Sequence, residues 1–173
     1  NHLKIMNLVK LEQKKKAFDL INKANTDSDY KDFYNTIKLN YFFSSYELSR
    51  ACDFDNSILN CDTAISILKK FNAKNDLAIA YNALAINYHK KGHWETGIKQ
   101  YKNAEKINLS LNNRKGLFRN YSNLALIYKN VWDNSSKDSN YLNMLYYNEK
   151  LNSIRKELNI PGDAILLLFL VAL

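Results

Sequence analysis

Tyr81-Asn82-Ala83-Leu84-Ala85-Ile86-Asn87-Tyr88 returns as Tyr121-Ser122-Asn123-Leu124-Ala125-Leu126-Ile127-Tyr128, forty residues further on. The same offset links Ala64 to Ala104, Ile67 to Ile107 and Leu77 to Leu117. Self-similarity at a fixed period of a few tens of residues marks an array in which one supersecondary unit stacks on the next. Such arrays build extended surfaces and are used mainly for binding. The pattern therefore points to a class of task before any single residue does.

Composition agrees with a chain made of helices. Hydrophobic residues are 46% and charged residues 24% of the 173, as in ordinary globular domains. Only 4 Gly and 1 Pro are present, too few for the turns of a sheet-rich fold, so an all-α chain with short connections is expected. The 12 Tyr suit half-buried helices, because the ring packs while the hydroxyl stays wet. The abundant Asn and Lys read as a reflection of base composition. The formal net charge of +8 favours acidic partners, but it is spread along the chain. Its one run, Lys14-Lys15-Lys16, lies among Leu11, Ala17, Phe18 and Leu20 and reads as the solvated face of a helix. Nucleic acid is disfavoured as a partner on that ground.

Polar breaks divide the chain into helical stretches. The clearest unit has a first helix over 77–91, a turn at Gly92-His93-Trp94 and a second helix over 95–111. The next first helix covers 117–129 and is followed by a longer turn, 131–139. The returning helix over 141–158 is displaced by that turn, so Trp94 matches Tyr141 at a step of 47. Pro161 and Gly162 stop it. The whole chain reads as a single helical-repeat domain. Its parts are an N-terminal helical segment (1–28), a degenerate repeat (29–75), a repeat (76–113), a repeat with a lengthened turn (114–160) and a partial next helix (161–173). The segment 164–173 is apolar on every side and, at ten residues, too short for a bilayer, which takes about 20. Its register favours a further repeat helix, with the stub of a membrane helix as the alternative. Asn1 opens the chain without a methionine and without a signal-peptide layout, in keeping with a processed protein or a piece of a longer one.

These residues resemble tetratricopeptide (TPR) repeats, helix-turn-helix units of about 34 residues. Leu84-Ala85 stands for the Leu-Gly pair of that pattern, Tyr88 for its aromatic residue, and Gly92-His93-Trp94 for its turn. Gly97, Tyr101 and Ala104 supply the small, aromatic and small residues of the second helix; Leu124-Ala125 and Tyr128 repeat the first-helix set. Tyr146-Tyr147 with Glu149-Lys150 resembles the second helix of such repeats. The period of 40 is similar to the longer-helix variety found in bacterial regulators. The resemblance implies a right-handed α-solenoid of stacked antiparallel helix pairs. It also implies a groove lined by the first helices: Phe42, Tyr46 and Arg50, then Asn82, Ile86, His89 and Lys90, then Arg119, Asn123 and Lys129. Asn amides there suit a peptide backbone, Arg119 a carboxylate, and the rings apolar anchors. Phe42 and Tyr46 are equally placed to pack on the neighbouring repeat. The carboxylate clamp of some TPR chaperone partners is matched only at Asn123 and Arg119, which counts against that version.

No catalytic constellation is expected. His2, His89 and His93 lack companions at metal-ligand spacing, so neither a metal nor another cofactor is expected. His93 reads as a cap or a simple exposed imidazole. Cys52 and Cys61 are in no ligand spacing, and Cys61 matches Tyr101, an inward position, so a buried free thiol is expected there. A bridge between the two stays open. The leading expectation is a non-enzymatic module binding a protein or peptide, the sensory or scaffold part of a bacterial regulator joined to an output domain. The alternatives are a nucleic-acid-binding solenoid and a structural piece that self-associates through 164–173. The compartment is open, with the cytoplasm favoured over the periplasmic side of a membrane-anchored regulator.

Overall fold

The computed structural model describes residues 53–70 and 72–161. Phe42, Tyr46, Arg50, Cys52 and the segment 164–173 lie outside the described residues. Within them the chain is all-helical, with five helices and no strand. They are α1 (Phe54–Lys70), α2 (Lys74–Lys90), α3 (Trp94–Ser110), α4 (Arg114–Ser135) and α5 (Asp138–Glu157). Each packs on the next, and α2 also touches α4.

The regularity lies in the turns. The first three helices are each 17 residues long. Asn72, Gly92 and Asn112, spaced by twenty residues, take left-handed φ of 50°, 77° and 50°. At each turn the next N–H reaches back five residues: Ala73 to Leu68, His93 to Tyr88 and Asn113 to Asn108. The left-handed residue's own N–H bonds three residues back, so two carbonyls orphaned by the helix end are satisfied. Asn and Gly are the residues that enter this conformation at least cost. Asn159 repeats the device after α5, with φ of 53° and a bond from Ile160 N–H to the Arg155 carbonyl.

Asn159 follows Asn112 by 47 positions, the step seen between Trp94 and Tyr141. The sequence reading put the surplus into a loop over 131–139, and the structure corrects this. Helix α4 runs on through Ser135 to 22 residues and α5 has 20, so the surplus lengthens helices. Asn134 Nδ2 and Ser135 Oγ donate to the carbonyls of Asn130 and Val131, both at 2.7 Å, and Lys129 pairs with Asp133 at 2.6 Å. These i, i+4 contacts keep a polar run helical. Trp132 and Tyr141 then pack ring on ring at 5.0 Å across the break, where Ser136 turns the chain with φ of 52°. Seven residues are about two helical turns, so the buried faces keep their register. Smaller corrections hold elsewhere: α2 begins at Lys74 rather than at 77, and Trp94 is the first residue of α3 rather than part of the turn.

Two apolar clusters fill the interior. One joins α1 and α2 through Cys61, Ala64, Leu68, Ala80 and Leu84. The other joins α2 to α5 around Ala85, Tyr101, Leu124, Ile127, Tyr147 and Leu151. Matched positions are buried in both units: Cys61 with Tyr101, Ala64 with Ala104, Leu84 with Leu124. Gly97 lets α3 approach α2, since a Cβ there would stand 2.9 Å from Ile127 Cδ1 and 3.3 Å from the Ala85 carbonyl oxygen.

The turn chemistry is testable at Asn112. Replacing it by Gly should leave stability equal or higher, whereas Asn112→Ala should cost about 1 kcal/mol, because alanine pays the left-handed strain. Urea unfolding of the two variants checks the order.

Candidate functional site

A chain of asparagines ties α2, α3 and α4 together. Asn113, the N-cap of α4, accepts the Gly116 N–H at 3.0 Å through Oδ1. Its Nδ2 donates to Asn108 Oδ1 at 3.0 Å, and Asn108 Nδ2 donates to Asn120 Oδ1. Asn120 Nδ2 reaches Asn82 Oδ1 at 3.1 Å, and Asn123 Nδ2 reaches the same oxygen at 3.3 Å. Asn108 and Asn120 are buried. Gly116 makes room for them: a Cβ there would lie 2.6 Å from Asn108 Cγ and 2.7 Å from Asn113 Nδ2. Forty residues earlier the same slot holds Leu68 and Ala80, both buried in the apolar cluster. This one slot is therefore filled by hydrocarbon in one unit and by paired amides in the next.

A second polar contact joins α2 to α4. Asn130 Nδ2 stands 2.8 Å from His89 Nε2. Asn82 to Asn123 and His89 to Asn130 share an offset of 41 residues and are seven apart on each helix. The two helices thus run in the same direction, side by side, with rungs about two turns apart. Burial, helped by Lys90, lowers the His89 pKa from its ordinary 6.5. The ring is then neutral at pH 7, and Nε2 accepts from the asparagine amide.

The residues expected to line a groove distribute as follows. Asn82 and Asn123 meet each other, and both side chains are half-buried. After their mutual contacts Asn82 retains Nδ2 as a donor and Asn123 retains Oδ1 as an acceptor. Ile86, expected to look outward, instead packs on the core cluster while half-buried. An apolar side chain gains by burial against that cluster. His89 is half-buried in its rung, and Lys90 is exposed. Arg119 is exposed one turn before Asn123, on the same face of α4. Lys129 is exposed and paired with Asp133. Asn108, Asn113, Asn120 and Asn130 were not anticipated. The signal that finds Asn108, Asn113 and Asn120 is the loss of apolar character at offset 40, where Leu68, Ala73 and Ala80 stand; Asn130 follows Lys90 and has no such signal.

Other chemistry-bearing groups stand apart from this ridge. Cys61 is a free thiol, fully buried beside Asn87, and burial followed by the Asp62 charge pushes its pKa up to about 12. A thiol so held is a poor nucleophile. His93 makes no cap bond to α3; its exposed ring stacks on Tyr88 at 6.2 Å. An open cleft of about 650 Å³ lies where the start of α2 meets the turn before α4, lined by Asn72, Lys74, Ile79, Leu111 and Asn113 among others. Among the described residues no group of three or more His, Cys, Asp or Glu is placed to hold a metal, and no helix is long and apolar enough to cross a membrane. No protein-family model, curated protein or solved structure matches the chain.

The His89 rung predicts an acid dependence of stability. Its folded pKa lies below 6.5, so above that pH both states are neutral and the contact is intact. As pH falls through 6.5 the unfolded chain takes up the proton first, and stability declines until the folded ring also titrates. His89→Gln, which keeps a polar partner for Asn130, should flatten the stability profile below pH 6.5 in urea titrations at stepped pH.

Proposed function

We propose that the chain is a non-enzymatic, TPR-like module, a right-handed α-solenoid of stacked antiparallel helix pairs, that binds an extended peptide segment of a partner protein along α2 and α4. The observation that carries this reading is the Asn82–Asn123 rung. It leaves one amide donor and one acceptor side by side on the half-buried ridge. An extended peptide offers the complementary carbonyl and N–H from its own backbone, and main-chain bonding of that kind supplies affinity without demanding one sequence. Arg119, exposed one turn away, supplies a charge-assisted contact for an acidic side chain or terminal carboxylate. The twenty-residue spacing of left-handed turns supports the solenoid, because equal units stacked in one sense generate a continuous groove.

The role that fits such a groove is the sensory or scaffold part of a bacterial regulator. Docking between first helices joined by polar rungs changes their separation. In a stacked array that change accumulates as curvature, which an attached output domain can read. Net charge supports an acidic peptide over a basic one, with +8 on the chain.

Capped extended hexapeptides, one set with a central glutamate and one with a central lysine, test the reading in a ¹⁵N NMR titration. The glutamate set should shift the side-chain amides of Asn82 and Asn123, and the Arg119→Ala/Asn123→Ala variant should bind at least ~10-fold more weakly, the equivalent of losing one or two such bonds. Equal binding by the variant, or a titration in which no capped peptide moves those amides, contradicts it.

A further inference from the structure

An isolated surface asparagine presents its donor and its acceptor interchangeably, because a half-turn of the terminal amide swaps them. Asn82 is not isolated. Its Oδ1 accepts from Asn120 Nδ2 and from Asn123 Nδ2. Asn120 cannot reverse, since its Oδ1 accepts from Asn108 Nδ2; Asn108 is held in turn by Asn113 Nδ2. The series ends on the Gly116 backbone N–H, a group that donates and never accepts. One irreversible donor in the first turn of α4 therefore fixes every amide in the series. Burial of Asn108 and Asn120 enforces this, because a reversed amide there would set donor against donor away from water.

We propose that Asn108 and Asn120 are positioning residues that relay this polarity to the ridge, holding Asn82 with its NH₂ outward and Asn123 with its oxygen outward. The ridge then has a fixed order, donor on α2 and acceptor on α4, and a backbone peptide group docks on it in one orientation. The consequence for peptide binding rests on the functional reading above; the orientation of the amides does not. Leu68 and Ala80 show that the fold accepts hydrocarbon in the equivalent slot. The series is thus not needed merely to fill space.

The test uses the full chain, ¹⁵N-labelled, as wild type, as Asn108→Leu/Asn120→Ala, which copies the Leu68/Ala80 slot, and as Asn113→Ala, which removes the start of the series at a half-buried turn. In wild type the Asn82 side-chain amide should be as rigid as ordered backbone, with an order parameter near ~0.85, falling below about 0.6 in either variant while circular dichroism keeps the helical signal. If Asn82 stays rigid with unchanged shifts in a folded variant, the relay is overturned; should the double variant fail to fold, Asn113→Ala decides alone. The capped glutamate hexapeptides serve as the second readout, with binding expected to weaken about tenfold in the variants. Lost rigidity with retained affinity upholds the relay and overturns the ridge as the peptide site.

Discussion

An amide buried without a partner costs about 1–3 kcal/mol, so two asparagines buried in one helix interface gain by bonding to each other. That constraint governs the contact of α3 with α4. Asn108 and Asn120 sit in a slot that the preceding unit fills with Leu68 and Ala80. Hydrocarbon tolerates small slides between helices, since contact area changes little. Hydrogen bonds with a narrow range of length do not. Pairing Asn108 with Asn120 therefore fixes the approach of the two helices. It also requires glycine at position 116 and carries the polar order through Asn82 to the ridge.

The turns complement this control. Left-handed Asn72, Gly92 and Asn112 end helices of equal length, so each helix is delivered to its neighbour at the same height. The rungs of α2 on α4, Asn82 with Asn123 and His89 with Asn130, stand seven residues apart on both helices. Where the chain adds residues, it adds them as helical turns in α4 and α5, which leaves the faces aligned. Function of the kind proposed depends on this alignment, because a peptide meets the ridge through groups held at fixed separations.

Much of the fold was legible in the sequence, and the reasons are local. Leu84-Ala85 and Leu124-Ala125 recur because the same small and apolar residues are needed wherever two helices cross closely, and both pairs are buried. The scarcity of Gly and Pro foretold helices with tight turns. The loop expected over 131–139 was wrong because Asp, Asn and Ser favour turns only until their side chains find partners. Here i, i+4 bonds and the Trp132–Tyr141 contact supply those partners. The site was half legible. Asn82 and Asn123 were singled out by their place on the first helices, yet their dependence on one another was invisible, since their contact spans α2 and α4. Asn108 and Asn120 were discounted with the general abundance of asparagine. Only comparison with Leu68 and Ala80 separates a buried amide from a compositional one.

A double-mutant cycle on Asn108→Leu and Asn120→Ala tests the central constraint most directly. Each single change strands a buried amide and should cost about 1–3 kcal/mol in urea unfolding. The double change should cost less than the two together by more than about 1 kcal/mol, because no fully buried amide is then left facing an absent partner. Additivity within roughly 0.5 kcal/mol would mean that the two asparagines do not act as a pair, and the account built on them would fall.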